Sequence, residues 1–178
     1  ETPPPTASQL SSLTQILQGG WYLLELINEI LDLAAIESGR LTPTMESVDL
    51  GRLLPECEDL MSDLARKRTI TLVLPTAAPA TFVHADRTRL KQVIINLLSN
   101  GIKYNRPGGS VTVQWQPCAP GGVRMTVTDT GAGLSPDQVA RLFESFNRLG
   151  RESGDEQGTG IGLVVSRRLV ELMGGRIW

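Results

Sequence analysis

The chain has 178 residues, of which 40 % are hydrophobic and 20 % charged, and its formal net charge is -2. This suits one globular core with a helical appendage, and it argues against a general nucleic-acid binder, which carries a basic excess. No run approaches the roughly 18 to 20 apolar residues of a membrane span and no signal peptide opens the chain; Cys57 and Cys118, without motif spacing, fit packing in a reduced compartment.

Residues 1–7, with Pro3, Pro4 and Pro5 in a row, read as an extended lead-in. From Ser8 the pattern becomes helical. Leu10, Leu17, Leu24 and Leu31 recur every seven residues, and Leu13, Gly20, Ile27 and Ala34 sit three further on, which makes a heptad seam. Ile16, Trp21, Leu23 and Ile30 widen it toward a bundle stripe. A helix over residues 8–36 is about 40 Å long at 1.5 Å per residue, too long to be buried on a small domain. The expected partners are a second copy of this chain and a further helix. Gly39 suits the left-handed C-cap.

Residues 42–48 read as a connector leading into a short strand, and 50–67 as an amphipathic helix through Leu53, Leu54, Cys57, Leu60, Met61 and Leu64. Strands are expected over 69–74 and 81–84, with a turn or loop at 75–79 between them. A helix then runs from Arg89 to Asn105, capped by Asp86. Residues 110–116 and 123–129 alternate and form a hairpin, 136–143 suggest a helix, 159–173 another, and 174–178 begin a strand. A chain that stops on the first residues of a strand is expected to lack the strands that follow.

The helix from Arg89 carries an oddity. Leu90, Val93, Ile94, Leu97 and Leu98 form one apolar stripe, while Asn96, Asn100 and Lys103 form a second, polar one. Asn competes with the helix backbone for hydrogen bonds, so two of them in an apolar helix call for a reason. An amide oxygen can complete the shell of a magnesium ion otherwise held by phosphates and water, and Lys103 can meet a phosphate as a point charge. The alternative is two solvated Asn.

Two glycine motifs weigh on that choice. In Asp129-Thr130-Gly131-Ala132-Gly133, a carboxylate at a strand end precedes glycines that let backbone approach a flat ligand, and a buried Asp can accept a hydrogen bond from the adenine amine. Gly158-Thr159-Gly160-Ile161-Gly162-Leu163 leads into a helix whose free amides suit a polyphosphate. No Gly-Lys-Ser/Thr follows, and no Rossmann unit surrounds it.

Taken together, the segments resemble the sensor histidine kinases of two-component systems. Asn96-Leu97-Leu98-Ser99-Asn100-Gly101-Ile102-Lys103-Tyr104 is similar to that family's asparagine box, and residues 129–133 to its first glycine box. Leu142-Phe143-Glu144-Ser145-Phe146-Asn147-Arg148 is similar to the phenylalanine box, and residues 158–163 to the second glycine box. Leu26-Ile27-Asn28-Glu29-Ile30-Leu31-Asp32-Leu33 with Ile36-Glu37-Ser38-Gly39 resembles the second helix of the dimerisation hairpin.

The resemblance implies an α+β chain: a dimerisation helix over 8–41, then an ATP-binding two-layer α/β sandwich over 42–178, of the type shared with gyrase and heat-shock chaperone ATPases. It implies ATP and Mg2+ as cofactors, with Asn100 holding the metal, Asn96 close by, and Lys103 and Tyr104 reaching the phosphates. Asp129 reads the adenine amine, and Gly131 and Gly133 shape its pocket. Gly158, Gly160 and Gly162, with Thr159, Ile161 and Leu163 between and after them, hinge the lid. Arg148 approaches the terminal phosphate, and Phe143 and Phe146 anchor the lid base.

It further implies a homodimer through the heptad helix, an upstream sensor domain, a response-regulator receiver domain as partner, and a cytoplasmic location, with or without a membrane anchor elsewhere. The phosphoacceptor histidine of the first hairpin helix is absent from these residues, and His84, just before the asparagine helix, is poorly placed for that role. Autophosphorylation of this stretch alone is therefore not expected. The rival reading is a non-catalytic, ATP-sensing or scaffolding homologue without an acceptor. Trp21 and Trp115 read as packing residues, and Arg167-Arg168 as solvated surface.

Overall fold

A computed structural model describes residues 6–75, 80–118, 121–147 and 158–178. Helix α1, Ala7–Glu37, opens on a capping box in which Thr6 Oγ1 accepts from the Gln9 amide and the Gln9 side chain accepts from the Thr6 amide. Past the Ser38 C-cap the chain turns at Gly39, whose φ of 66° is the left-handed conformation that glycine adopts without strain. Strand β1, Glu46–Asp49, leads directly into α2, Leu50–Lys67, where Asp49 accepts from the Gly51 amide as N-cap.

Strands β2, Thr71–Val73, and β3, Phe82–Ala85, precede α3, Arg87–Lys103. Strands β4, Ser110–Cys118, and β5, Gly122–Asp129, form the hairpin, and helices α4, Pro136–Ala140, and α5, Gly162–Leu172, complete the described elements. β1 and β3 make an antiparallel ribbon. β2 pairs in parallel with β4, which pairs antiparallel with β5, so the order is β2-β4-β5.

The alternation of β4 decides which face is covered. Val111 and Val113 are fully buried and point with Trp115 toward the helices, opposite Met125 and Val127 of β5. Leu53, Leu54 and Cys57 of α2 and Ile94, Leu98 and Ile102 of α3 meet them in one core. α3 comes close to the sheet because Gly101 has no side chain; a methyl group there would stand 3.1 Å from a Val111 methyl. Burial pushes the Cys57 thiol up to about 11, as suits an inert packing residue.

A second, smaller core forms where Val93 of α3 meets Ile161, Val165 and Leu169, with Leu26, Leu33 and Ile36 of α1 laid over them. The far half of α1 thus docks on the domain. The near half does not: Leu10, Leu13, Leu17 and Trp21 are exposed, as are Leu24, Ile27 and Leu31 of the heptad seam. The expectation that α1 is too long to be buried therefore holds for the seam and fails for the face through Leu26, Leu33 and Ile36.

Several element limits differ from those expected. β2 is shorter at its start because residues 69 and 70 finish the turn after α2: Thr69 takes φ 58°, and the Ile70 amide donates to the Ala65 carbonyl. α4 stops at Ala140, followed by turns. α5 starts at Gly162 rather than at 159, because Gly160 has a φ of 72° that no helix contains. Residues 174–178 are not a strand; after Gly174, at φ 78°, they find no ladder partner among the described residues. Most of the loop expected over 75–79 lies outside the described residues.

Asp86 joins two segments at the start of α3. Its carboxylate accepts from the Arg89 amide at 3.0 Å, as the expected cap, and also from the Thr44 amide at 2.9 Å. Partial burial opposes its charge, yet the amides of Arg89, Thr44 and Thr88 and the Arg89 charge together hold its carboxyl below the ordinary value. A depressed carboxylate contributes stability that is present above its unfolded value near 3.9 and is lost as pH falls through the folded value. Asp86→Ala is expected to cost about 1 to 2 kcal/mol in urea unfolding at neutral pH. The wild-type advantage should shrink on acidification below about pH 4, and an advantage that did not change with pH would contradict this account.

Candidate functional site

The asparagine stripe of α3, the end of β5 and the glycine segment before α5 enclose a cavity of about 340 Å³. Asn96, Asn100, Lys103 and Tyr104 line it from α3, Asp129 and Gly133 from the turn after β5, and Gly158, Thr159, Gly160, Gly162 and Leu163 from the opposite side. The apolar stripe of α3 is buried behind them, so one helix supplies both the core and the wall. Leu97, Val127, Leu134 and Leu142 give the cavity apolar patches on which a flat ring can lie.

At one end the polar groups are held in place. The Asn96 Nδ2 donates to the buried Ser166 Oγ at 2.8 Å, which leaves Oδ1 turned toward Gly162 and toward Asn100, whose Nδ2 stands 3.4 Å away. Neutral amide oxygens presented to a cavity are hard donors of the kind magnesium takes alongside phosphate and water, so this donor set fits that ion. Among the described lining residues Lys103 is the one cation.

At the other end Asp129 Oδ1 accepts from the Gly131 amide at 2.8 Å. Thr130 fixes the same turn by accepting from the Ser110 amide at 2.9 Å and donating to Asn105 Oδ1 at 3.0 Å. On the rim, Arg141 and then Asn147 bond to Glu144 and hold its carboxyl below the ordinary value. Asn147 itself lines the cavity.

Residues 85–178 match the family described as "Histidine kinase-, DNA gyrase B-, and HSP90-like ATPase". The chain belongs to this family. Within it the chain has the catalytic domain of the sensor histidine kinases. It is 37 % identical over 180 residues to the "Circadian input-output histidine kinase CikA" of Synechococcus elongatus, covering 98 % of this chain and 23 % of that one. It is 44 % identical over 163 residues to the "Virulence sensor protein BvgS" of Bordetella parapertussis, covering 87 % of this chain and 13 % of that one. The chain therefore spans less than a quarter of the length of these relatives.

Among solved structures, full-length ShkA in complex with AMPPNP is similar with a TM-score of 0.80 at 32 % identity, over 97 % of this chain and 35 % of that one. That alignment takes in α1 as well as the ATPase domain. The α+β fold class expected for the family is the one observed.

Against the family's boxes, the structure brings Asn96, Asn100, Lys103, Tyr104, Asp129, Gly133, Gly158, Thr159, Gly160, Gly162 and Leu163 to one cavity. Three residues of these boxes sit in ways that the spacing does not give. Ile161 does not face the cavity; it is fully buried in the second core, anchoring the start of α5 under the glycines. Gly131 lies behind the wall, where a methyl group would stand 2.6 Å from the Tyr104 carbonyl oxygen, so its lack of a side chain serves packing of the turn on α3. Asp129 is exposed to the open cavity rather than buried.

Arg148 lies outside the described residues. Phe146 is exposed, at φ 62°, and holds the glycine segment through its backbone amide, which donates to the Gly160 carbonyl; Phe143 carries the Arg167 guanidinium 5.1 Å from its ring centre. Arg167 and Arg168 pair with Glu171 on the surface. The sequence reading also missed Glu29. It stands on α1, yet it lines the cavity and accepts from Thr159 Oγ1. No local pattern signals it, because the contact spans 130 residues.

Proposed function

We propose that this chain is the ATP-binding catalytic portion of a two-component sensor histidine kinase. It would transfer the γ-phosphoryl group of ATP to a histidine outside these residues, for relay to an aspartate of a response-regulator receiver domain. The observation that carries the reading is the convergence of Asn100, Lys103, Asp129 and the residue 158–162 glycines on one half-apolar cavity. In the transfer, an imidazole nitrogen bonds to the γ-phosphorus while the bond to the β–γ bridging oxygen breaks and ADP leaves. Magnesium, when bound with ATP, supplies charge neutralisation on the phosphates.

The residues contribute mainly positioning. The Asn100 amide oxygen, with Asn96 held against it by Ser166, would hold the ion. Lys103 would meet the phosphates with Tyr104 beside it, and Asp129 would accept from the adenine amine. Arg148 is assigned to the terminal phosphate by its place in the phenylalanine box. The exposed seam of α1 supports a homodimer. A cytoplasmic place for this portion, with the sensor domain elsewhere in the protein, follows from the kinase reading; no helix among the described residues is long and apolar enough to cross a membrane.

The test is calorimetric titration with ATP and with GTP, each with magnesium. Wild-type protein should bind ATP and discriminate against GTP, which lacks the exocyclic amine at that position. Asp129→Asn should weaken ATP binding by roughly tenfold or more and narrow the discrimination, because an uncharged amide replaces a charged acceptor. Equal ATP affinity in the two proteins would remove Asp129 from the base site.

A further inference from the structure

Asp129 stands where the β4–β5 ladder ends, paired with Val111, and its carboxylate is exposed to the open cavity. Packing does not hold such a side chain, so its direction must come from hydrogen bonds. The Gly131 amide donates to Oδ1 at 2.8 Å, which leaves Oδ2 for a base. That amide stays in reach only while the turn lies on the end of α3, where a methyl group on Gly131 would stand 2.6 Å from the Tyr104 carbonyl oxygen and 3.4 Å from the Asn105 Cα.

Two side chains tie the turn down. Asn105 uses the whole of its amide: Nδ2 donates to the Gly101 carbonyl at 3.0 Å and to the Ser110 carbonyl at 2.9 Å, while Oδ1 accepts from the Arg106 amide and from Thr130 Oγ1, both at 3.0 Å. Thr130 completes the clamp by accepting from the Ser110 amide at 2.9 Å. The end of α3, the start of β4 and the turn after β5 are thereby joined. The clamp also accounts for the glycine beside it, because a methyl group on Gly109 would collide with both Asn105 Oδ1 and Thr130 Oγ1.

We propose that Asn105 and Thr130 are positioning residues for base recognition: the bond between them keeps the Gly131 amide on Asp129 and so sets the direction in which the carboxylate meets the adenine amine. This deepens the ATP-binding reading above and rests on it. Neither side chain lines the cavity, so each acts through Asp129. Lys103 is carried by α3 itself and meets the phosphates with or without the clamp. A carboxylate freed of the clamp keeps its charge but loses its fixed aim, and the contact that tells adenine from guanine weakens with it.

The experiment measures dissociation constants for ATP, GTP and inorganic tripolyphosphate, each with magnesium, for the wild type, T130V, T130S and G109A. Valine keeps the shape of threonine and removes the hydroxyl, serine keeps the hydroxyl, and alanine at 109 wedges the clamp apart with every hydrogen-bonding group present. The preference for ATP over GTP is expected to narrow roughly tenfold in T130V and G109A and to stay near the wild-type value in T130S, with tripolyphosphate bound equally by all four. Partial unfolding weakens every ligand alike, so these ratios report on the site even in a less stable variant. A preference retained in T130V, or in G109A should T130V not fold, overturns the proposal, as does its loss in T130S. Tripolyphosphate affinity that falls as far as ATP affinity also overturns it, since the clamp would then support the whole cavity. A wild type that binds none of the three overturns the proposal together with the ATP-binding reading.

Discussion

Asn100→Ala is expected to abolish magnesium-dependent ATP binding, with affinity in the presence of magnesium falling on the order of 100-fold. The Asn100 side chain lines the cavity and makes one long contact, 3.4 Å, to Asn96, so the fold gains little from it. The substitution also favours the helix by propensity. Thermal unfolding of the variant should stay near that of the wild type while the calorimetric signal with magnesium disappears. Affinity retained in the variant would mean that the cation is held elsewhere, and a large loss of stability would mean that Asn100 is a structural residue.

Leu98→Ala, two residues away, is expected to do the reverse. Leu98 is fully buried against α2 and the sheet, and truncation of a buried leucine leaves a cavity that neighbouring elements only partly fill. A loss of about 2 to 5 kcal/mol in urea unfolding should follow. Leu97→Ala is the control, because Leu97 is half-buried and faces the nucleotide cavity. It should cost less stability and alter ATP binding instead. Equal losses at the two positions would contradict the division of α3 into a core face and a site face.

The polar stripe of Asn96, Asn100 and Lys103 was legible from spacing alone, because residues three and four apart share a helix face whatever the tertiary context. Leu97, which spacing puts with Leu98 on the apolar stripe, instead lines the cavity. The cap at Asp86, the β4–β5 hairpin and the cavity end of Asp129 were legible for the same local reasons. Ile161 and Gly131 were not. Each sits inside a glycine motif whose backbone follows one path, yet side-chain direction within that path is decided by the positive φ of Gly160 and by the Tyr104 carbonyl, which no spacing rule contains. Glu29 was invisible as part of the site, because its Thr159 partner lies far along the chain. The heptad seam itself was legible, but the opposite face of α1 reads as ordinary helix until α5 and α3 are set against it.

The two faces of α1 have a mechanical consequence. Glu29 is two residues from both Ile27 and Leu31, about 200° around the axis from each, so the seam and the cavity stand back to back on one rod. The rod has 31 residues, or about 45 Å, without a proline in its interior. Gly19 and Gly20 interrupt the exposed half, so torque applied before them is partly absorbed at that pair. A partner that grips residues 21 to 31 instead holds the same unbroken stretch of helix that carries Glu29 on its opposite side.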